Sequence, residues 1–394
     1  MSNIKRRLPT ILKPVWNNVH AAVPLPSKGL AVKDTNIAAL DFGVRLFQNS
    51  IRKQGKGNVL ISPLSILMAL VLSANGARGN TLAQMEYVFG ASVSELNEYL
   101  CRYKAVQAAG RELSVGNSVW LRKNLDIMLE AEFLQTSENY LDASVHLAPF
   151  DASTLAQINS WVKKCTNAKI TEILDELNPC ARMYLLNAVA FSSEWEESFM
   201  VTQVQEREFT QEDGTVQRVE MMCREEDYYL QDRCADGFLK YYKGRQYAFA
   251  ALLPKKGITA AQYAASLTGE RVYSILTNPI VNEVEIELPK FHVEYSIELR
   301  DILQGLGITD AFYPQADFSG IGRLKGEKLF LDEALHKTYI SVHENGTDAV
   351  GMLLGALSAN KKYVYLNRPF VYMIVDCKIN FPVFIGIANT CQLP

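Results

Sequence analysis

Few residues of this chain stand at spacings that support catalysis. The sequence contains no G-x-S-x-G nucleophile elbow, no H-E-x-x-H zinc motif, no phosphate-binding loop and no dinucleotide fingerprint. Ser160-Trp161-Val162-Lys163 fits the pattern S-x-x-K, but a pattern this loose arises by chance. The five histidines show no metal-ligand spacing. We therefore expect a protein that is not an enzyme and holds no metal or cofactor, although a cysteine–histidine dyad assembled in space stays open.

The seven cysteines show no pattern that indicates metal binding or disulfide bonds. Their number is odd, their spacing is wide and no C-x-x-C occurs, which argues against a disulfide framework or a zinc site. We expect buried or half-buried free thiols. Free thiols favour a cytoplasmic location or a prokaryotic source, while secretion stays open. The basic residues Lys5–Arg7 precede an apolar stretch, Leu8–Leu12, that is too short for a clear signal peptide.

Composition indicates one globular domain. The chain has 394 residues, 48% hydrophobic and 21% charged, with a net charge of −3. No Pro/Gly/Ser-rich linker follows residue 36, so we expect a poorly specified extension over residues 1–33 and a single domain over 34–394. The absence of a general basic charge makes nucleic acid an unexpected partner. No apolar run approaches the roughly 20 residues of a membrane-spanning helix, so we expect no membrane association.

Hydrophobic periodicity predicts helices early and strands later in the chain. Apolar residues at three- and four-residue steps predict a helix over Asn36–Arg52, whose start Asp34, Thr35 or Asn36 could cap. Alternating apolar residues and near-continuous apolar runs predict strands. The further predictions are a helix over Ala152–Ala168 and strands over Glu112–Leu121, Val284–Leu288, Tyr247–Leu253 and Pro369–Ile387. This order of elements favours an α+β fold with large sheets.

Several short segments occur in a fixed order over residues 36–390. They are Asn58–Ile66, Gly76–Thr81, Gly116–Trp120, Ile158–Val162, Leu186–Phe191 with Trp195 and Phe199, Met221-Met222, Leu253-Pro254, Leu288–Phe291, Ala316–Ser319, Leu366–Phe370 and Phe384–Gly386. Each is weak alone, but the series resembles the serpins, a family of serine protease inhibitors. The resemblance implies three β-sheets, eight or nine helices and an exposed reactive loop before Asn367.

The resemblance also implies a mechanism. A serpin-like inhibitor is cut in its reactive loop by a serine protease, inserts the loop into its main sheet and holds the protease in a covalent one-to-one complex. We expect a monomeric suicide inhibitor of this kind. The alternative is a non-inhibitory serpin that acts as a carrier or interaction protein.

Residues 342–362 decide between these alternatives. No proline lies between Asn345 and Arg368, so each residue can donate a hydrogen bond in a sheet. Alternate residues from Thr347 to Leu357 carry no charge and would face the core, whereas Asp348 falls on the opposite face. Val350, Met352 and Leu353 are larger than is usual in inhibitory relatives, which would slow insertion. The resemblance assigns a hinge to Glu344, Gly346, Thr347, Ala349 and Gly351.

Two counts place the scissile bond differently. Counting from Glu344 places it after Asn360, and counting back from Asn367 places it after Ser358. We place the reactive site within Ala359, Asn360 and Lys361. Cleavage after Ala359 would suit an elastase-like protease, and cleavage after Lys361 a trypsin-like one.

Further roles follow only from the resemblance. Ser62, Ser65, Asn187 and His336 match a polar cluster that holds the main sheet shut. Lys290 and Glu344 match an ion pair near Trp195, where the loop would first insert.

Overall fold

Helices form most of the first hundred residues of the fold. The computed structural model describes residues 32–107, 112–123, 127–324, 328–344 and 361–391. Within them lie nine α-helices: α1 (Val32–Gln54), α2 (Pro63–Asn75), α3 (Gly79–Phe89), α4 (Val93–Gln107), α5 (Ala131–Leu141), α6 (Ala152–Cys165), α7 (Ala260–Ala265), α8 (Gly269–Thr277) and α9 (Arg300–Leu306). Pro63, at the first position of α2, suits a helix start because its missing N–H has no intrahelical partner there.

Strands rich in β-branched and aromatic residues form the sheets of the fold. They are β1 (Val59–Ile61), β2 (Leu113–Arg122), β3 (Met128–Leu129), β4 (Ser144–Ala148), β5 (Met183–Phe191), β6 (Val204–Thr210), β7 (Val216–Gln231), β8 (Ala235–Tyr241), β9 (Tyr247–Pro254), β10 (Ile280–Pro289), β11 (Phe291–Glu298), β12 (Gly322–Arg323), β13 (Glu333–Val342), β14 (Lys362–Tyr365), β15 (Phe370–Asp376) and β16 (Phe381–Ala388). The described residues form three sheets of nine, five and two strands.

The five-stranded sheet is the main sheet, with the order β11-β13-β5-β2-β4. Its strands β13 and β5 run parallel, side by side, with Glu333 paired to Tyr184 and Tyr339 to Ala190. Every residue of β5 is buried, because α2 covers one face of the sheet and α6 packs near the other. On β13, buried residues alternate with partly exposed ones.

The nine-stranded sheet runs β1-β16-β15-β9-β8-β7-β10-β14, and β6 pairs with β7. β14 is its last strand and pairs in parallel with β10 alone among the described strands. β15 and β16 lie well inside the sheet and are buried along their whole length. The remaining sheet pairs β12 with β3.

Most predicted elements occur close to their predicted places, with three differences. The apolar run Pro369–Ile387 forms two strands, β15 and β16, separated by a turn over residues 377–380. The predicted cap of α1 is wrong, since that helix begins at Val32, before Asp34. The Asn36 amide instead donates to the carbonyl of Ile379, and its oxygen accepts from the Tyr99 hydroxyl. All seven cysteines are free, but Cys101 and Cys180 are exposed rather than buried.

Outside residues 1–31 and the other undescribed segments, no helix is long and apolar enough to cross a membrane. The domain boundary at residue 34 stays a prediction.

Candidate functional site

The predicted reactive segment joins two different sheets. β13 ends at Val342 in the five-stranded sheet, and β14 begins at Lys362 in the nine-stranded sheet. Description of the chain stops at Glu344 and resumes at Lys361. Six of the predicted hinge and reactive-site residues lie outside the described residues: Gly346, Thr347, Ala349, Gly351, Ala359 and Asn360.

An ion pair fixes the chain just beyond β13. The Lys290 ammonium lies 2.9 Å from a Glu344 carboxylate oxygen and 3.4 Å from Glu220. Lys290 is almost buried because it occupies the single-residue link between β10 in one sheet and β11 in the other. Burial raises the pKa of Glu344, but the hydrogen bond and the positive charge of Lys290 lower it by more. The pKa of Glu344 therefore lies below its usual range. Lys290 and Glu344 therefore form an ion pair, and its role in loop insertion stays a prediction.

Trp195 contacts the chain at the preceding residue, His343. Its indole N–H donates to the carbonyl of His343 at 2.8 Å. The ring is buried and stacks on Tyr242, with ring centroids 4.3 Å apart and planes 9° from parallel. The last residues before the reactive segment are therefore attached to the molecule by a main-chain hydrogen bond and a side-chain ion pair.

Sequence analysis missed a buried charge beneath Trp195. The Lys240 ammonium lies 5.3 Å from the centre of the Trp195 ring and 2.6 Å from a carboxylate oxygen of Glu226. Arg224 pairs with the same carboxylate at 2.8 Å. Burial raises the pKa of Glu226 and lowers that of Lys240, while each partner's charge opposes the shift. The available signal was a single lysine in an apolar strand, Phe238-Leu239-Lys240-Tyr241.

The predicted polar cluster is assembled beneath the line where the parallel strands β5 and β13 meet, which we call the β5–β13 seam. His336 and Asn187 are direct neighbours across the two strands, and the His336 Nδ1–H donates to the Asn187 side-chain oxygen. The Asn187 amide in turn donates to the Ser65 hydroxyl of α2. His336 is completely buried, and its burial lowers the pKa to about 3, so the imidazole is neutral.

Two details of this cluster differ from the prediction. Ser62 contributes its backbone N–H, which donates to His336 Nε2 at 3.0 Å. Asn117, which was not predicted, lies opposite Asn187 on β2 and accepts a hydrogen bond from its amide at 2.6 Å. The cluster therefore forms a polar row across β2, β5 and β13, supported from below by α2.

The ladder between β5 and β13 ends before β13 does. Residues Ile340 to Val342 of β13 pair with β11 on one side. The described β5–β13 ladder stops earlier, at Tyr339 and Ala190. β5 ends one residue later, at Phe191, so the last residues of β13 extend beyond it toward the predicted hinge.

Lys361, the last predicted reactive-site residue, lies at the other sheet. Its ammonium faces the carboxylates of Glu225, Glu283 and Glu285. The structure thus places Lys361 in contact with the nine-stranded sheet, whereas the predicted hinge residue Glu344 follows β13 of the five-stranded sheet.

Comparison with known proteins decides the family. Residues 38–390 match the family model described as serpin, serine protease inhibitor. The chain belongs to the serpin family. The α+β serpin fold is confirmed by the native-state crystal structure of tengpin, a thermophilic serpin, which it matches with a TM-score of 0.86 and 40% sequence identity over 93% of this chain and 96% of that one.

Curated serpin relatives cover most of the chain as well. An uncharacterized serpin-like protein of Thermococcus kodakarensis is 30% identical over 84% of this chain and 80% of its own. Intracellular coagulation inhibitor 2 of Tachypleus tridentatus is 28% identical over 89% of each chain. Many serpins inhibit proteases, and serpins in general are not catalytic enzymes.

Proposed function

We propose that this serpin is a suicide inhibitor of a serine protease that traps the enzyme by inserting its cleaved loop between β5 and β13. The observation that carries the proposal is the seam itself. Two adjacent parallel strands are held together by a local polar cluster, and β13 leads directly into the predicted reactive segment. A new strand can enter antiparallel to both neighbours, so its N–H and C=O groups gain partners on two sides.

The chemistry that starts insertion belongs to the protease. Its serine oxygen attacks the carbonyl carbon of the reactive-site residue while the protease histidine accepts the serine proton. The peptide bond then breaks, the proton passes to the departing amine, and the new carboxyl end of the loop is an ester of the serine. Insertion before hydrolysis carries the protease away from the hinge and distorts its active site, leaving a one-to-one covalent complex.

The dimensions of β13 support this role. β13 contains ten residues, and Thr347–Leu357 contains eleven, so the segment matches the strand beside which it would lie. The uncharged alternate residues of the segment would face the buried side, where β13 places Ala334, His336, Thr338, Ile340 and Val342. Placing a charge on that side would oppose insertion because an unpaired buried charge is unstable.

Insertion must first break the polar row across the seam. A strand between β5 and β13 separates His336 from Asn187, which are hydrogen-bonded neighbours in this structure. Each neutral hydrogen bond contributes about 1 kcal/mol, whereas the new strand gains a ladder on both edges. The cluster therefore sets a barrier to opening, and the inserted state is the more stable one.

Incubation with elastase-, chymotrypsin- and trypsin-like proteases tests the proposal. We expect one class to form an adduct that survives denaturing electrophoresis, and mass spectrometry of the peptide released on denaturation to identify the cut bond. Cleavage without an adduct in every class would refute inhibition and support the alternative, a non-inhibitory carrier or interaction protein. The large residues Val350, Met352 and Leu353 favour that alternative, because they hinder insertion.

A further inference from the structure

Three glutamates of the nine-stranded sheet surround the Lys361 ammonium. It lies 3.0 Å from Glu285 and 3.6 Å from Glu283, and it is hydrogen-bonded to Glu225. Only 22% of the Lys361 side chain is exposed. A contact with one surface carboxylate would fix a lysine weakly, but a network of three holds it in one place.

The strand register explains why this site needs a cation. Glu283 and Glu285 alternate with the buried Val284 on β10, so both lie on its outer face. Glu225 on β7 is the direct cross-strand neighbour of Glu285. Like charges in such positions repel each other, and Lys361 compensates them. Because Lys362 pairs with Val284, the preceding residue falls beside Glu283.

Tyr365 fixes the orientation of the central carboxylate. Its hydroxyl donates to Glu285 Oε1 at 2.7 Å, which leaves Oε2 to face Lys361. The hydrogen bonds from Tyr365 and Lys361 lower the pKa of Glu285, so the carboxylate stays charged. Lys361, just before β14, and Tyr365, at its end, thus both bind the carboxylate of Glu285. The start of β14 is therefore attached to β10 by side chains as well as by its backbone ladder.

We propose that Lys361 is a positioning residue that anchors the C-terminal end of the reactive segment, and that the target protease cuts before it. A residue recognised by a trypsin-like protease must enter the specificity pocket of that enzyme. Lys361 cannot do so while it compensates three glutamates. This inference rests on the proposed function and removes one of the three predicted reactive-site residues. Of the two predicted reactive-site residues that remain, Ala359 suits an elastase-like protease with a small specificity pocket, and we take this class as the target.

Limited digestion with a trypsin-like protease tests the anchor without any reference to inhibition. The wild type is compared with the double variant Glu225→Gln/Glu285→Gln, which keeps the side-chain shapes and removes two charges. We expect cleavage after Lys361 to be at least about ten-fold faster in the double variant, since about 1.4 kcal/mol corresponds to a factor of ten. Glu206→Gln is the control, because Glu206 belongs to the same sheet but pairs with Arg218. Equal rates in wild type and double variant would overturn the anchor.

The protease class is tested on the wild type with mass spectrometry of the peptide released by denaturation. We expect the elastase-like enzyme to form the adduct and the peptide to retain Lys361. A trypsin-like adduct whose peptide begins at Lys362 would leave the proposed function standing and refute this inference. A cut before Lys361 with no adduct from any protease would refute the proposed function and leave this inference standing.

Discussion

Two serines at the start of α2 have different roles in the polar cluster, although both match the family pattern. Ser65 accepts a hydrogen bond from Asn187 with its hydroxyl, whereas Ser62 donates to His336 with its backbone N–H. Ser65→Ala should lower the free energy of the first unfolding transition by about 1 kcal/mol, because one buried hydrogen bond is lost. Ser62→Ala keeps the backbone amide and should change the same free energy of unfolding by less than about 0.5 kcal/mol. Guanidinium titration of both variants measures the difference, and equal losses would contradict the assignment.

His336 should make the closed seam sensitive to acid. Its pKa is about 3 in the native state, against an ordinary 6.5, because burial disfavours the charged ring. The open or unfolded state therefore binds a proton that the native state does not. The contribution of neutral His336 to the stability of the native state is complete above pH 6.5. It is lost as the pH falls toward 3, by about 1.4 kcal/mol per pH unit.

The matched variant His336→Gln isolates this effect. Between pH 7 and pH 5 the wild type should lose about 2 kcal/mol more stability than the variant, since glutamine does not titrate. Urea titration at the two pH values gives both differences. The same loss in both proteins would assign the acid sensitivity to other groups, such as His343.

Family resemblance identified part of the cluster and missed the rest for a physical reason. Asn117 joins the polar row only because β2 pairs antiparallel with β5 in the register that sets it opposite Asn187. Nothing local to Asn117 in the sequence indicates that register. Lys240 is a similar case, because its burial depends on Glu226, fourteen residues away on a neighbouring strand. Long-range pairings of this kind are set by the assembled sheet.

At the scale of secondary-structure elements, the inserting strand must have one uncharged face. Thr347→Arg places a charge on the face that would be buried beside β13 and should convert the proposed inhibitor into a substrate. The adduct should fall at least about ten-fold relative to cleaved product, because an unpaired buried charge opposes insertion by more than about 1.4 kcal/mol. Densitometry of denaturing gels measures the ratio of adduct to cleaved product.

Asp348→Arg is the control for this element, since it places the same side chain on the opposite face. It should leave the adduct within about two-fold of the wild type, because a charge that stays near water is tolerated. Equal losses in Thr347→Arg and Asp348→Arg would contradict the predicted parity of the strand.

Elements with strong local patterns were the predictable part of the fold. Val284, Ile286 and Leu288 are buried and their neighbouring glutamates are not, as the alternation on β10 predicts. The apolar runs of β9, β15 and β16 are buried throughout, as predicted for strands covered on both faces. The start of α1 was not predictable in the same way, because good capping residues such as Asp34 also occur inside a first turn.

At the scale of the whole molecule, the proposed mechanism requires the cleaved protein to be more stable than the intact one. An inserted strand of about ten residues gains ladders on two edges, and at about 1 kcal/mol per hydrogen bond this is on the order of 10 kcal/mol. For a chain of this size the midpoint of thermal unfolding should rise by about 12 °C. Differential scanning calorimetry before and after loop cleavage measures the rise. An unchanged midpoint would indicate that the cut loop stays outside the sheet.

The position of β15 and β16 inside the nine-stranded sheet has a consequence for the cleaved molecule. β15 lies between β16 and β9, and β16 lies between β15 and β1, so each is hydrogen-bonded on both edges to the rest of the fold. Cutting the reactive segment separates these strands from the preceding chain in covalent terms only. The product is a tight noncovalent heterodimer of one long and one short polypeptide, comparable to a split protein whose halves complement each other.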